Sequence, residues 1–296
     1  MAQPRIGIIG GSGLGQAFCL QAGGPGCEEV NLSTPFGPTS GPIWLTRWEG
    51  ADIAFLSRHG PGHLLNPTAV PYRANIYALK SLGVTHILAS GATGSLKEEI
   101  QTGHLVVCDQ VIDKTTRRPS TFFDSGVVAH VEFAEPFCPT LRALLIEAGG
   151  TAGTTIHPCG TYVCMEGPAF STAAESRMHR LWGGDLIGMT CLPEAKLARE
   201  AEICYALIAL PTDYDCWRPH QAGADRVALL KEIVGNLDAA TRQAIELLRA
   251  AVPRLAGQMD RPCACRDALA LAIWSDKSRV APEVVGRLRP IIGRYF

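Results

Sequence analysis

The chain has 296 residues, of which 47% are apolar and 19% are charged, and its formal net charge is -1. This balance is typical of a globular protein with a substantial core and excludes an intrinsically disordered chain. The charge is close to zero and no basic stripe occurs, so the sequence argues against a nucleic-acid or anionic-membrane partner and favours a small-molecule ligand.

Two features of the sequence concern cellular location. The apolar segment near the start is too short for the core of a signal peptide, and no other apolar run is long enough to span a bilayer. The eleven cysteines are scattered through apolar segments, which favours reduced, buried thiols. We therefore expect a cytoplasmic protein with no membrane partner.

The secondary structure is predicted from hydrophobic patterning. Apolar, β-branched runs predict strands at Ile6–Ile9, Ile53–Leu56, Thr85–Ala89, Leu105–Val111, Thr154–Val163, Leu186–Met189 and Ile203–Leu210. Helical spacing predicts helices at Arg73–Leu82, Thr140–Ala148, Ala173–Trp182, Glu194–Glu200, Asp225–Leu248 and Arg261–Ile273. The alternation indicates an α/β fold with a twisted mixed β-sheet flanked by helices, and ligands of such sheets gather at the C-terminal ends of strands. We expect one domain over residues 1–296 with a C-terminal helical extension from about 261 to 296.

The first predicted strand leads into a glycine-rich loop, Gly7-Ile-Ile-Gly-Gly-Ser-Gly-Leu-Gly15. Glycines let backbone N–H groups approach an anion, and the hydroxyl of Ser12 adds a donor, so the loop is typical of a phosphate cradle. A glycine-rich turn without a ligand is the alternative. Gln16 stands where a dinucleotide-binding loop needs its third glycine, so an NAD-dependent dehydrogenase is disfavoured.

Three more loops follow predicted strands at the same edge of the sheet. Ser57-Arg58-His59-Gly60 offers an arginine and a histidine that can bind a dianion through charge-assisted hydrogen bonds. Gly91-Ala-Thr-Gly-Ser95 and Gly188-Met-Thr190 supply small residues whose amides can face an anion. Each loop alone is a weak signal, and an ordinary surface loop is the alternative for Ser57–Gly60.

Two carboxylates, Asp213 and Asp215, end the strongly apolar run at Ile203–Leu210. Residues two apart on a strand project from the same side, so both acids would face one pocket. Two close carboxylates do not both ionise easily, and an acid that keeps its proton can donate a hydrogen bond while its neighbour accepts one. A purine needs such a donor at N7 and an acceptor at its 6-amino group. A solvated turn is the alternative for an isolated Asp-x-Asp.

Cys263-Ala-Cys265 is the one cysteine pair at close spacing. The spacing is not that of a zinc site and the sequence shows no second pair, so we expect no metal and weigh a local redox pair above it.

A series of motifs occurs in order along the chain: Gly-Gly-Ser-Gly-Leu at 10–14, Thr-Pro-Phe-Gly at 34–37, Ser-Arg-His-Gly at 57–60, Ala-Thr-Gly-Ser-Leu at 92–96, Ala-Glu-Pro-Phe-Cys at 134–138, Met-Glu-Gly-Pro at 165–168, Gly-Met-Thr at 188–190 and Thr-Asp-Tyr-Asp-Cys-Trp at 212–217. Together they closely resemble the 5′-methylthioadenosine phosphorylases of the trimeric purine nucleoside phosphorylase family, from about residue 5 to about residue 270. The Cys-x-Cys also resembles one that forms a strained disulfide in some relatives.

The resemblance implies a nucleoside phosphorylase-like fold and phosphorolysis of 5′-methylthioadenosine, with some activity on adenosine. It implies inorganic phosphate as co-substrate, no cofactor and a homotrimer with sites near the subunit interfaces. The implied phosphate ligands are Ser12, Arg58, His59, Gly91, Ala92 and Thr190. The implied nucleoside ligands are Phe170 and Ser171 at the base, Met189 at the ribose, His130 near the 5′ end of a neighbouring subunit's site, and Ala224 and Val227 at the methylthio group. Asp213 and Asp215 would be catalytic.

Two departures from the family pattern bear on rival functions. Gly91 stands where relatives often carry a hydroxyl or amide residue, and Ala169 interrupts the usual Gly-Pro-Arg-Phe. A catalytically idle nucleotide-binding subunit fits poorly, because Arg58, His59 and both acids are present. A phosphorylase for 6-oxopurine nucleosides or methylthioinosine remains the alternative, although an amide would suit its substrate better than Asp213.

Overall fold

The computed structural model describes residues 5–11, 14, 27–152, 155–218 and 226–296. Its main sheet contains strands β1 (Arg5–Gly10), β2 (Glu28–Val30), β5 (Ile43–Trp48), β6 (Ala51–Ser57), β7 (Val84–Ser95), β8 (Leu105–Val107), β9 (Gln110–Lys114), β10 (Ile156–His157), β11 (Thr161–Met165), β12 (Leu186–Gly188) and β13 (Cys204–Asp213). A separate short hairpin is formed by β3 (Ser33–Thr34) and β4 (Gly37–Pro38).

The sheet is mixed, with a parallel centre and antiparallel flanks. Its main path is β10-β8-β13-β7-β1-β6-β5-β2. The four central strands, from β13 to β6, are parallel, whereas β8 and β5 run antiparallel to their central neighbours. This architecture confirms the α/β class and the mixed sheet that the hydrophobic pattern predicts.

Strand β7 divides the sheet, because its two halves have different neighbours. Its first half pairs with β1, and its last residues, Gly94 and Ser95, pair with β12. Strand β12 then leads to β11 and β9. The fork brings the ends of several strands together around the middle of β7.

Helices cover both faces of the sheet. The helices among the described residues are α1 (Tyr72–Ser81), α2 (Pro139–Ala152), α3 (Ala173–Leu181), α4 (Cys191–Glu200), α5 (Arg226–Ala256), α6 (Pro282–Arg287) and α7 (Arg289–Ile292). One large buried cluster joins α2 and α5 to the sheet, and a second large one joins α1, α4 and the C-terminal segment to it. None of the described helices combines the length and apolarity needed to cross a bilayer.

Helix α3 shows why the local sequence folds as it does. The Thr172 hydroxyl accepts the N–H of Glu175, and the Glu175 carboxylate accepts the N–H of Thr172. This reciprocal capping box satisfies donors that a helix start leaves unpaired. It fixes the helix start directly after Phe170 and Ser171.

Several predicted boundaries are wrong, for reasons of tertiary pairing. The runs at Leu105–Val111 and Thr154–Val163 each form two strands, because the chain changes neighbours at Asp109, which accepts the N–H of Gly160. The predicted loop at 91–95 continues β7. The predicted helix at Arg261–Ile273 is only a 3₁₀ turn at Ala264–Asp267 followed by turns, since the preceding Cys263 is extended.

Candidate active site

A cavity of about 520 Å³ lies beyond the C-terminal ends of β1, β6 and β13 and along the second half of β7. Open α/β sheets bind their ligands at this kind of edge. The cavity is lined by Gly11, Arg58, His59, His63–Pro67, Gly91–Gly94, Met165, Pro168, Phe170, Ile187–Thr190, Thr212, Asp213, Asp215, Ile233 and Leu237. Nine of the fourteen predicted site residues are in this lining: Arg58, His59, Gly91, Ala92, Phe170, Met189, Thr190, Asp213 and Asp215.

Arg58 is completely buried and lies at the end of β6. Its guanidinium makes a bidentate ion pair with Glu194, at 2.7 Å for both Nε and Nη2, and Nη1 donates to the Ser90 carbonyl at 2.8 Å. Burial disfavours its charge, but the pairing with Glu194 prevails and raises the pKa of Arg58. Arg58 is therefore a fixed cation whose charge is already balanced by a carboxylate. Glu194 was not predicted, because the two residues are 136 positions apart and no local pattern connects them.

The His59 imidazole is neutral in this site. Its Nδ1 lies 2.8 Å from the Leu65 carbonyl oxygen, which can only accept, so Nδ1 carries the proton and Nε2 is left as an acceptor. Burial and then the charge of Arg58 lower the pKa of His59 to about 4. The expected Arg–His dianion site therefore has one charged member, and His59 is suited to accept a hydrogen bond from a hydroxyl group.

Small residues of β7 form one wall of the cavity beside Thr190. A Cβ added to Gly91 would meet the Thr190 hydroxyl oxygen at 3.5 Å, so this hydroxyl faces the Gly91 end of the cavity. Thr190 precedes α4 without capping it through its side chain. Ser12 belongs to the same predicted anion site and lies outside the described residues.

Asp213 and Asp215 lie at the Gly94 end of the cavity wall that β7 forms. Asp213 is the last residue of β13 and its Oδ1 accepts the N–H of Asp215 at 2.8 Å, while Oδ2 accepts the Thr212 hydroxyl at 2.8 Å. Asp215 is not on the strand; it reaches the same cavity from a turn with φ 49°. A Cβ at Gly94 would come within 3.0 Å of Asp213 Oδ1, so only glycine lets the acid approach β7 this closely. Among the described residues, Asp215 Oδ2 is buried without a hydrogen-bond partner.

A buried arginine that the sequence did not single out organises the loops beside the cavity. Arg118 donates to the carbonyls of Met189 at 2.6 Å and Leu192 at 2.7 Å, and to that of Glu166 at 2.6 Å. The Glu166 carboxylate is partly buried, which raises its pKa, but hydrogen bonds from Thr116 and others prevail and lower the pKa to about 2. The ends of β11 and β12 are thus tied together by one side chain.

The residues predicted to bind the base and the ribose lie in the cavity lining or directly beside it. Met189 lines the cavity, and so does Phe170, although its side chain is 84% exposed. Ser171 lies just outside the lining, with its hydroxyl 3.7 Å from the Met165 sulfur. The apolar part of the lining includes Ile233 and Leu237 of α5.

Two predicted residues, Val227 and His130, are not brought into this cavity. Val227 lies near the start of α5, is 58% exposed and is not part of the lining. His130 is exposed on the surface, with its ring edge-on to Trp274 at 5.0 Å between centroids. Ala224 lies outside the described residues.

Comparison with known proteins gives one consistent result. The sequence pattern of the Phosphorylase superfamily matches residues 5–253. The S-methyl-5′-thioadenosine phosphorylase of Geobacter sulfurreducens is 48% identical over 98% of both chains, and that of Pyrococcus abyssi is 45% identical over 90% of this chain and 98% of its own.

Solved structures agree with the sequence relatives. The methylthioadenosine phosphorylase from an antarctic soil metagenomic library superposes with a TM-score of 0.88 at 42% identity, covering 98% of this chain and 99% of that one. A variant adenosine/methylthioadenosine phosphorylase from Schistosoma mansoni in complex with adenine gives 0.83 at 33% identity, covering 92% and 99%. The chain therefore belongs to the phosphorylase superfamily and, within it, to the S-methyl-5′-thioadenosine phosphorylases.

Proposed function

We propose that this protein catalyses phosphorolysis of 5′-methylthioadenosine to adenine and 5-methylthioribose 1-phosphate. The observation that carries the proposal is the distribution of groups along β7. Gly91 of β7 lies beside Arg58 and Thr190, whereas Gly94 of the same strand lies beside Asp213 and Asp215. Three residues of a strand span about 10 Å, so one wall can serve an anion and a nucleobase at separate ends.

The proposed chemistry needs opposite charges at these two ends. A phosphate oxygen bonds to C1′ while the bond from C1′ to N9 breaks, and the purine keeps the electron pair. Positive charge develops on the ribose and negative charge on the base. The phosphate stabilises the ribose side, and a proton from Asp213 to N7 neutralises the leaving base. Asp215, whose Oδ2 has no partner among the described residues, accepts from the 6-amino group.

The 5′ group would meet an apolar surface. The methylthio group has no hydroxyl to satisfy, and Ile233 and Leu237 supply apolar lining from α5. One small apolar difference gives discrimination of only about 10- to 200-fold. Measurable activity on adenosine is therefore part of the proposal.

A phosphate-dependent assay that compares methylthioadenosine, adenosine, inosine and methylthioinosine tests the proposal. We expect methylthioadenosine to have the highest kcat/KM and adenosine to be second. No turnover without phosphate is expected. A preference for the two 6-oxopurine nucleosides would replace the proposal with the rival phosphorylase, and no turnover of any nucleoside would favour an idle binding subunit.

We also propose a homotrimer in which His130 reaches a neighbouring subunit's site. Support comes from the surface around it, where Val128, Leu271 and Trp274 are 48%, 94% and 74% exposed. Exposed apolar groups of this kind mark interaction surfaces. Trp274→Glu should lower the mass measured by light scattering toward that of a monomer, whereas Trp182→Glu, at another exposed tryptophan, should not. An unchanged mass in Trp274→Glu would contradict this role.

The whole chain is proposed to act as one phosphorylase domain in the cytoplasm. The curated relatives match almost its full length, and the C-terminal Leu288, Ile291 and Ile292 join the core beside α1. The ten described cysteines are free thiols, which is typical of a reducing compartment.

A further inference from the structure

Four cysteine thiols meet at the end of β13 that is remote from the cavity. The Sγ atoms of Cys138, Cys204, Cys263 and Cys265 all lie within 4.8 Å of one another. Cys204 is the first residue of β13 and Asp213 is the last, so the cluster and the acid pair are about 30 Å apart along the strand. The cluster therefore plays no part in the proposed phosphorolysis.

The spacing of the sulfur atoms fits one tetrahedral metal ion. Zinc–thiolate bonds of about 2.3 Å place the four sulfurs of a tetrahedron about 3.8 Å apart. The Cys138 and Cys263 sulfurs are already 3.6 Å apart, and the other separations require shifts of about 1 Å or less. Four thiolate ligands in this arrangement select zinc among the common divalent metals. We propose that this cluster binds one Zn²⁺ ion through all four thiolates.

The surroundings of the thiols suit such a site. Cys138 lies directly before the first residue of α2, and Cys263 directly precedes the 3₁₀ turn at Ala264–Asp267. A helix N-terminus such as that of α2 stabilises a thiolate. Three of the cysteines are buried and Cys263 is partly exposed, which leaves a path for the ion.

Basic groups nearby offset the charge that binding would create. Zinc binding releases four protons and leaves a complex of charge -2, with no change of oxidation state. Lys80 interacts electrostatically with Cys204, and His86 with Cys263, while Arg266 influences both basic groups. Lys80 and Arg266 are the cations near the cluster, whereas burial lowers the pKa of His86 to about 4 and leaves it neutral, and Glu202 is an anion that also interacts with Lys80.

The consequence would be structural. The site joins the start of β13 to the start of α2 and to the segment after α5, which are far apart in sequence. This also explains why Cys263-Ala-Cys265 alone did not predict a metal: its two partners come from residues 138 and 204.

The test uses the full-length protein, reduced and treated with a chelator, and titrated with Zn²⁺ or Co²⁺. We expect one metal ion per chain by elemental analysis, a rise in Tm with zinc, and a Co²⁺ spectrum with sulfur-to-cobalt charge transfer and the intense visible bands of tetrahedral cobalt. Cys204→Ala and Cys263→Ser should weaken zinc binding more than about 100-fold. Cys108→Ala, at a buried thiol outside the cluster, and Cys159→Ser, at an exposed one, should bind like the wild type.

The wild-type measurement decides the question even if a variant fails to fold. Absence of metal binding by the reduced wild-type protein would overturn the proposal. So would equal loss of zinc in Cys108→Ala and Cys263→Ser, or disulfides among the four cysteines in protein whose thiols were trapped at cell lysis.

Discussion

Asp213 is held in one orientation by both of its oxygens, through the Thr212 hydroxyl and the Asp215 amide. An asparagine at this position keeps the shape but has no acidic proton to transfer. Its amide can still donate to the O6 of a 6-oxopurine, because O6 lies beside N7 on the same edge of the base. The residue therefore controls both proton delivery and the choice of base.

Asp213→Asn should lower kcat/KM for methylthioadenosine about 100-fold or more, the usual contribution of a general acid. The ratio of inosine to adenosine activity should rise at the same time, because the substituted amide favours the oxo group. Steady-state kinetics on the four nucleosides measures both effects. Asp113→Asn, at a carboxylate paired with Lys196, is the control and should leave the ratio unchanged. Equal loss on all substrates would speak against the proposed contact.

Gly91 leaves room for a side chain beside Thr190, because an added Cβ would make only an ordinary 3.5 Å contact. Gly91→Ser should lower the KM for phosphate by about threefold to tenfold, the effect of one added hydrogen bond. Phosphate titrations at saturating nucleoside measure this change. Gly91→Ala adds the bulk without the hydroxyl and should not improve binding. If serine and alanine behave alike, the residue does not face the phosphate.

At the scale of whole elements, the ends of β11 and β12 depend on Arg118. Its planar guanidinium donates to the carbonyls of Met189 and Glu166, and a lysine cannot reproduce that geometry. Arg118→Lys should raise the KM for the nucleoside about tenfold to 100-fold, because Met165 and Met189 would lose their fixed positions. The same kinetic assay checks this. Arg117→Ala, at an exposed neighbour, should have wild-type kinetics, and wild-type KM in Arg118→Lys would contradict the role.

The elements show which parts of the structure the sequence predicts. Central strands such as β6 and β13 are apolar on both faces, so composition alone locates them. The runs at Leu105–Val111 and Thr154–Val163 were not resolved into two strands, because a change of sheet partner leaves the hydrophobic pattern intact.

In the candidate site, too, the sequence predicts what has a local pattern and misses what depends on residues distant in sequence. Motifs at strand ends predicted the residues with local signatures, including Arg58 and Asp213. The partners that orient them, Glu194 and Arg118, are distant in sequence and carry no motif. Asp215 reaches the cavity, but through a left-handed turn rather than by strand alternation as predicted.

At the scale of the whole molecule, one buried carboxyl links stability to pH. Glu200, at the end of α4, accepts hydrogen bonds from the Phe122 N–H and the Thr121 hydroxyl, both at 2.7 Å. Burial prevails over these bonds and raises its pKa from 4.5 to about 7. Between these two values the unfolded chain loses this proton while the folded chain keeps it. The folded state is therefore progressively destabilised as the pH rises from about 4.5 to about 7.

Glu200→Gln removes this titration because glutamine stays neutral in both states. The shift corresponds to about 3 kcal/mol, so the free energy of unfolding of the variant, relative to wild type, should increase by about that amount between pH 4.5 and pH 8. Urea denaturation at the two pH values measures it. Thr241→Val, a buried substitution without a titratable group, is the control and should change the free energy of unfolding equally at both pH values. A constant difference between Glu200→Gln and wild type would show that Glu200 is ionised in the fold, since only a proton retained there makes the relative stability depend on pH.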